Sequence, residues 1–166
     1  THSNRLIHQD IKPANVMRFS RHSVLVDFGG ASFVHIQDPG DAGVYTLGYC
    51  APEQIEEGVD PSKHEYPIDL FAAGATLAYA ATGIMPWQIP NPSSDAKNER
   101  EAINSMRKGF REAVLTSDPN LFGIDPGVEK ILKTLLARDP KERGSAEKVL
   151  KSIKDLLPEN SARKNE

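Results

Sequence analysis

The sequence predicts a mainly α-helical domain with a small β-hairpin region near its N-terminus. Three observations carry this. Val128, Ile131, Leu132, Leu135 and Leu136 recur at helical spacing, as do Ala146, Val149, Leu150, Ile153, Leu156 and Leu157. No residue from Leu70 to Ser94 is charged, and the stretch from Pro67 to about Thr82 reads as a buried central helix. Val16-Met17-Arg18-Phe19 and Val24-Leu25-Val26 are short β-prone runs around the polar turn Ser20-Arg21-His22-Ser23, the pattern of a hairpin.

At 166 residues the chain is one domain's worth, long enough to bury a core. Its 39% hydrophobic and 26% charged residues are those of a soluble globular protein. A net charge of −3 gives no electrostatic reason to expect nucleic acid or an acidic membrane as partner. The uncharged run is long enough to span a bilayer, but it is rich in Ala, Gly and Thr and soon meets Pro86, Pro90 and Pro92, which argues for a protein core. A single cysteine, Cys50, excludes an internal disulfide and fits an intracellular protein, cytoplasmic or nuclear; we expect it to be a small buried residue. The five histidines lack ligand spacing, so an imidazole metal site is not expected.

In chain order, Leu6-Ile7 is a strand-like lead into His8-Gln9-Asp10-Ile11-Lys12-Pro13-Ala14-Asn15. Pro13 keeps this stretch out of a regular helix. A carboxylate, an ammonium and a carboxamide thus share one short loop, with Asp27-Phe28-Gly29 downstream. That set suits phosphoryl transfer: Asp10 to accept a hydroxyl proton, Lys12 to neutralise a phosphate, Asn15 and Asp27 as hard oxygen ligands for Mg²⁺. The hairpin advances and returns at roughly 3.3 Å per residue, so Asp27 should come back beside Asn15. His8 reads as a packed residue that props the loop.

After Gly29 no periodicity appears until Ala51-Pro52-Glu53, as in a surface loop rich in Gly and Asp. Pro67-Ile68-Asp69 opens the central helix, with Pro in the first turn and an acid where a helix start favours one. Trp87 reads as packing. Gln88 to Asn98 is a polar loop, followed by a charged amphipathic helix from about Asn98 to Glu112. Asp125-Pro126 caps the next helix and Ser145 opens the last. A polar tail, 158–166, follows, and there are no internal repeats.

These motifs resemble the eukaryotic-type protein kinases. The family's catalytic loop reads H-R-D-x-K-P-x-N and its metal loop D-F-G. Thr46-Leu47-Gly48-Tyr49-Cys50-Ala51-Pro52-Glu53 is similar to the T-x-x-Y-x-A-P-E that ends the family's activation segment. Thr82-Gly83-Ile84-Met85-Pro86-Trp87 resembles T-G-x-x-P-F, and Asp139-Pro140-Lys141-Glu142-Arg143-Gly144-Ser145-Ala146 resembles D-P-x-x-R-x-S-A. Five motifs in family order, from about Leu6 to Leu157, make the resemblance specific.

The resemblance implies an ATP- and Mg²⁺-dependent serine/threonine kinase acting on a protein substrate. It makes Asp10 the base, Lys12 the phosphate stabiliser, and Asn15 and Asp27 the metal ligands. Thr46 would support Asp10 and Lys12, Asp69 would hold the catalytic loop's backbone, and Arg143 would pair with Glu53. Lys12 with Thr46 points to the serine/threonine class. Gln9 stands where the family has the Arg that clamps a phosphorylated activation loop, so control by phosphate there should be weak, even with Ser32, Tyr45 and Thr46 as acceptors. Ala14 replaces a Glu that reads substrate Arg in basophilic relatives, so no basic preference is expected through it. Gly30, a second Gly after D-F-G, is expected to ease flipping of the loop.

All the motifs belong to the helical C-terminal lobe, residues 1–157 here. No glycine-rich phosphate loop, V-A-I-K-type Lys or partner Glu is present, and the chain opens Thr1-His2-Ser3 without Met. The expectation is a C-lobe whose N-lobe lies upstream and which, alone, is inactive because positioning is most of this catalysis. Two other readings stand beside it. A pseudokinase or regulatory binding module is disfavoured by the intact Asp10 and Asp27. A small-molecule phosphotransferase of the aminoglycoside or choline type would lack A-P-E and D-P-x-x-R.

Overall fold

The computed structural model describes residues 6–20, 22–33, 44–56 and 66–156. The middle of the expected activation segment, Leu157 of the last helix and the polar tail lie outside these residues. Among the described residues, two small antiparallel sheets precede four α-helices. Strand β1 (Leu6–Ile7) pairs with β4 (Ser32–Phe33), Ile7 facing Ser32. Strands β2 (Val16–Phe19) and β3 (His22–Leu25) form the expected hairpin, Phe19 facing His22. The connection is shorter than the sequence suggests: Ser20 takes a left-handed φ of 50°, which reverses the chain over two residues and frees His22 and Ser23 to join the strand.

Helix α1 runs Pro67–Thr82, as expected, with Pro at its first turn. Gly83 ends it in the left-handed region (φ 71°), where its N–H reaches the Tyr79 carbonyl. The helix is mostly buried from Ile68 to Thr76 and again at Ala78, while Leu77 and Tyr79 are exposed, so its later turns are core on one face only. Gly74 allows close passage of α3, because a Cβ there would stand 2.8 Å from the Leu135 Cβ.

Helix α2 (Glu99–Thr116) is capped by Asn98, whose side chain accepts from the Glu101 N–H while the Glu101 carboxylate accepts from the Asn98 amide, a reciprocal cap. It extends a turn past Glu112 because Phe110 and Val114, four apart, are both fully buried. Pro119 stands beyond its end. Helix α3 (Pro126–Leu135) is capped by Asp125 and buries Leu132 and Leu135. Helix α4 (Ala146–Leu156) lies on α3 with its apolar face only partly covered, Leu150 and Leu156 remaining exposed. No helix among the described residues is long and apolar enough to cross a membrane.

The core gathers Ile7, Ala51, Ile55, Phe71, Trp87, Phe110, Val114, Leu132 and Leu136. Trp87 stacks on Phe71 with centroids 5.7 Å apart, and its indole N–H donates to the Ser117 carbonyl, a packing role. Cys50 is buried in this core, and burial pushes its thiol up to about 12. Alkylation of Cys50 by iodoacetamide at pH 8, followed by mass spectrometry of its peptide, is therefore expected only after unfolding. Labelling of the folded protein at the rate of a free thiol would contradict the burial.

Candidate active site

The loop between β1 and β2 is shaped from below by α1. Both oxygens of Asp69, buried in the first turn of α1, accept backbone N–H groups of the loop: Oδ2 from His8 and Oδ1 from Gln9, each at 2.9 Å. These bonds hold Gln9 at φ 69°, a conformation a long side chain rarely adopts. The His8 ring is fully buried, with Nε2 3.0 Å from the Val26 carbonyl and Phe28 packed at 4.8 Å. His8 thus ties the loop to the strand that leads into Asp27.

The polar groups converge on Asp10. Lys12 Nζ donates to Asp10 Oδ2 at 2.7 Å and to Thr46 Oγ1 at 2.9 Å, and the Thr46 hydroxyl donates to Asp10 Oδ1 at 2.6 Å. Burial raises the Asp10 carboxyl, but these two hydrogen bonds and the Lys12 charge outweigh it, so the group lies below its usual 3.8. Asp10 is a carboxylate at any pH near neutrality.

A turn of 3-10 helix, Pro13–Asn15, brings Asn15 back under Asp10, where its amide N–H donates to the Asp10 carbonyl at 2.8 Å. With the NH₂ end committed, the amide oxygen is the end left for a cation. The Val26 N–H donates to the Asn15 carbonyl at 2.9 Å, which sets Asp27 one residue beyond Asn15's partner, as hairpin geometry requires. Asp27 is exposed at φ 62°, a left-handed conformation that Asp tolerates. Among the described residues no three His, Cys, Asp or Glu side chains cluster as a metal cage. A carboxylate and a carboxamide oxygen on a polar edge fit a hard cation that keeps water and phosphate in the rest of its shell.

Gln9 makes contacts the sequence did not reveal. Its Nε2 donates to Ser32 Oγ at 2.7 Å, both residues buried, and its carbonyl accepts from Gln54 Nε2 at 3.2 Å. Gln54 in turn accepts from the Ala51 N–H. Sequence reasoning passed over Gln54; the signal was its place three residues after Ala51, at the N3 position of a turn of 3-10 helix opened by Pro52. Ser32, one of the residues counted as available phosphate acceptors, is buried between β1 and Gln9 and needs local unfolding to be modified. Gly30 supplies room rather than a left-handed turn: a Cβ there would stand 2.8 Å from the Val44 Cβ.

Glu53 and Arg143 meet in a two-pronged ion pair of 2.5 and 3.0 Å. Arg143 is fully buried, over the Phe71 ring, and also donates to the carbonyls of Pro67, Ala137 and Arg138. It joins the A-P-E stretch, the start of α1 and the turn before α4. Hydrogen bonds connect most of the residues singled out in the sequence: Asp10, Lys12, Asn15 and Thr46 to one another, Gln9 to Asp69 through the loop's backbone, and Glu53 to Arg143, with Asp27 exposed beyond the partner of Asn15.

The chain is 31% identical over 153 residues to mitogen-activated protein kinase kinase kinase 8 of Rattus norvegicus, covering 90% of this chain and 30% of that protein. It is 32% identical to serine/threonine-protein kinase SBK1 of Mus musculus, covering 94% and 36%. With serine/threonine-protein kinase PknF of Mycobacterium tuberculosis the identity is 30%, covering 86% and 28%. The chain thus spans about a third of the length of these curated relatives. The protein kinase domain model matches residues 1–153, a stretch that includes every element of the assembly around Asp10, and the chain belongs to that family.

Proposed function

We propose that the complete protein transfers the terminal phosphoryl group of ATP–Mg²⁺ to serine or threonine hydroxyls of protein substrates, and that this chain is its helical C-lobe. The observation that carries the reading is the single ammonium of Lys12 shared between Asp10 and Thr46. It sets a cation beside the carboxylate that would take the hydroxyl proton, at the point where a transferring phosphate would pass. Asp10, held ionised, accepts the proton of the incoming hydroxyl. Lys12 offsets phosphate charge, and Thr46 fixes both. Asn15 and Asp27 would hold Mg²⁺ through oxygen, and the bound metal would supply charge neutralisation at the phosphates.

Two observations support an additional lobe over this surface. The relatives extend well beyond the matched region. In and near the hairpin, Met17, Phe19, Val24, Phe28 and Phe33 are exposed, apolar side chains that a further element could cover. Incubation of the complete protein with γ-labelled ATP, Mg²⁺ and a mixed protein substrate should yield phosphoserine and phosphothreonine, abolished by EDTA. Label confined to phosphotyrosine would refute the class, and no label with any substrate would favour a binding module.

A further inference from the structure

A groove of about 420 Å³ opens between the residues after the A-P-E stretch and α2, lined by Ile55, Glu56, Asn104, Arg107, Lys108 and Arg111. Three of the six are cations. Glu56 is the only carboxylate among these described lining residues and is paired with Arg111 Nη2 at 2.9 Å, so they carry a surplus of two positive charges in a chain of net charge −3. Arg111 Nε is buried without a hydrogen-bond partner. A guanidinium N–H withdrawn from water without an acceptor is costly, and an acceptor entering the groove would relieve it.

This groove is linked to the reacting centre. The Arg107 guanidinium lies over the Tyr45 ring, 5.3 Å from its centroid. Tyr45 precedes Thr46, whose hydroxyl donates to Asp10. The path from Asp10 through Thr46 and the Tyr45 ring to Arg107 is at most about 18 Å, the reach of about five extended residues. A peptide that offers a hydroxyl to Asp10 and runs toward α2 therefore brings side chains within reach of Arg107.

We infer that Arg107, Lys108 and Arg111 select acidic peptides, reading Asp or Glu within about five residues of the acceptor hydroxyl. The inference names the substrate class of the site and so rests on the phosphoryl-transfer reading above. Recognition is electrostatic and partly exposed, so it weakens with salt and acts more on selectivity than on tightness.

The test reads binding separately from transfer. Two fluorescein-labelled peptides carry a central serine flanked by four Glu or by four Lys on each side, and their anisotropy is measured with the complete protein. The Glu peptide should bind about tenfold more tightly, and raising salt should narrow the difference. The R107E/K108E variant should reverse the preference toward the Lys peptide, a gain that misfolding cannot produce. Lys108 is exposed, and K108E alone should reduce the preference about threefold, which keeps the test valid if the double variant does not fold. A K141E/K148E variant, with the same change in net charge away from the groove, should keep the wild-type preference. Equal binding of the two peptides, or an equal loss in K141E/K148E, overturns the inference. Selective binding without transfer to either peptide upholds the groove and overturns the kinase reading instead.

Discussion

Replacing Asp10 with Asn in the complete protein is expected to reduce kcat by about 10²–10⁴-fold, the usual contribution of a positioned general base, with little loss of fold. The surroundings explain why the two effects separate. Asp10 Oδ2 accepts from Lys12 and Oδ1 from Thr46. An Asn amide keeps its oxygen for Lys12 and turns its NH₂ toward Thr46, whose hydroxyl can rotate from donor to acceptor. Both contacts survive, and only the charge and the basic lone pair are lost. Full turnover in D10N would remove Asp10 from the role of base.

The pH behaviour gives an independent check. Burial raises the Asp10 carboxyl, and the hydrogen bonds and charge of Lys12 and Thr46 more than reverse this. A carboxyl depressed on folding contributes stability above its unfolded value, near 3.8, and loses it as pH falls through the lower folded value. The stability difference between wild type and D10N should thus be constant through neutrality and shrink in acid. An acid limb of kcat/KM lying between pH 5 and 8 would have to come from a group other than Asp10.

The second large effect is expected at Arg143. Truncation to Ala should cost about 3–5 kcal/mol, the range for breaking a buried ion pair, and lower the melting temperature by about 10 °C. Three carbonyls and Glu53 lose their donor together, and the Phe71 ring loses its cover. Arg143→Lys should recover little, because one ammonium cannot replace a planar fork that meets four acceptor groups. Trp87 stacks on Phe71 directly beneath, so its fluorescence follows the loss in urea titrations. Unlike an exposed pair, this one should be insensitive to salt, since Arg143 is wholly buried. A destabilisation below about 1 kcal/mol would place the pair among surface ion pairs.

Much of this assembly was legible in the sequence because its parts are local. Pro67, Asp125 and Asn98 announce helix starts by their own backbone and capping chemistry, and the apolar spacing from Val128 to Leu136 needs no partner to be read. The H-x-D-x-K-P-x-N order gave Asp10, Lys12 and Asn15 as a group. What escaped was set by contacts between distant segments. The pairing of Ile7 with Ser32 joins strands of two residues, too short for any alternation to show. Gln54 and Ser32 gain their meaning only from Gln9, whose direction depends on Asp69 far along the chain. The last turn of α2 depends on the pocket that receives Val114, and the exposed positions Leu77 and Tyr79 near the end of α1 show no sign of themselves in the sequence pattern.

The bonds from Asp69 to the loop span 61 and 60 residues, that of Thr46 to Asp10 spans 36, and that of Arg143 to Glu53 spans 90. No short peptide containing His8 to Asn15 holds these groups together, because the forces that bend it come from elsewhere. The local bonds among Asp10, Lys12 and Asn15 do not fix the loop alone; segments that follow it complete its shape. A chain cut between Thr46 and Arg143 would keep every group that touches the chemistry and still lack the contacts that make them a site. Truncation, local melting of α1 and loss of the Glu53 contact are in this respect one event, felt at Asp10.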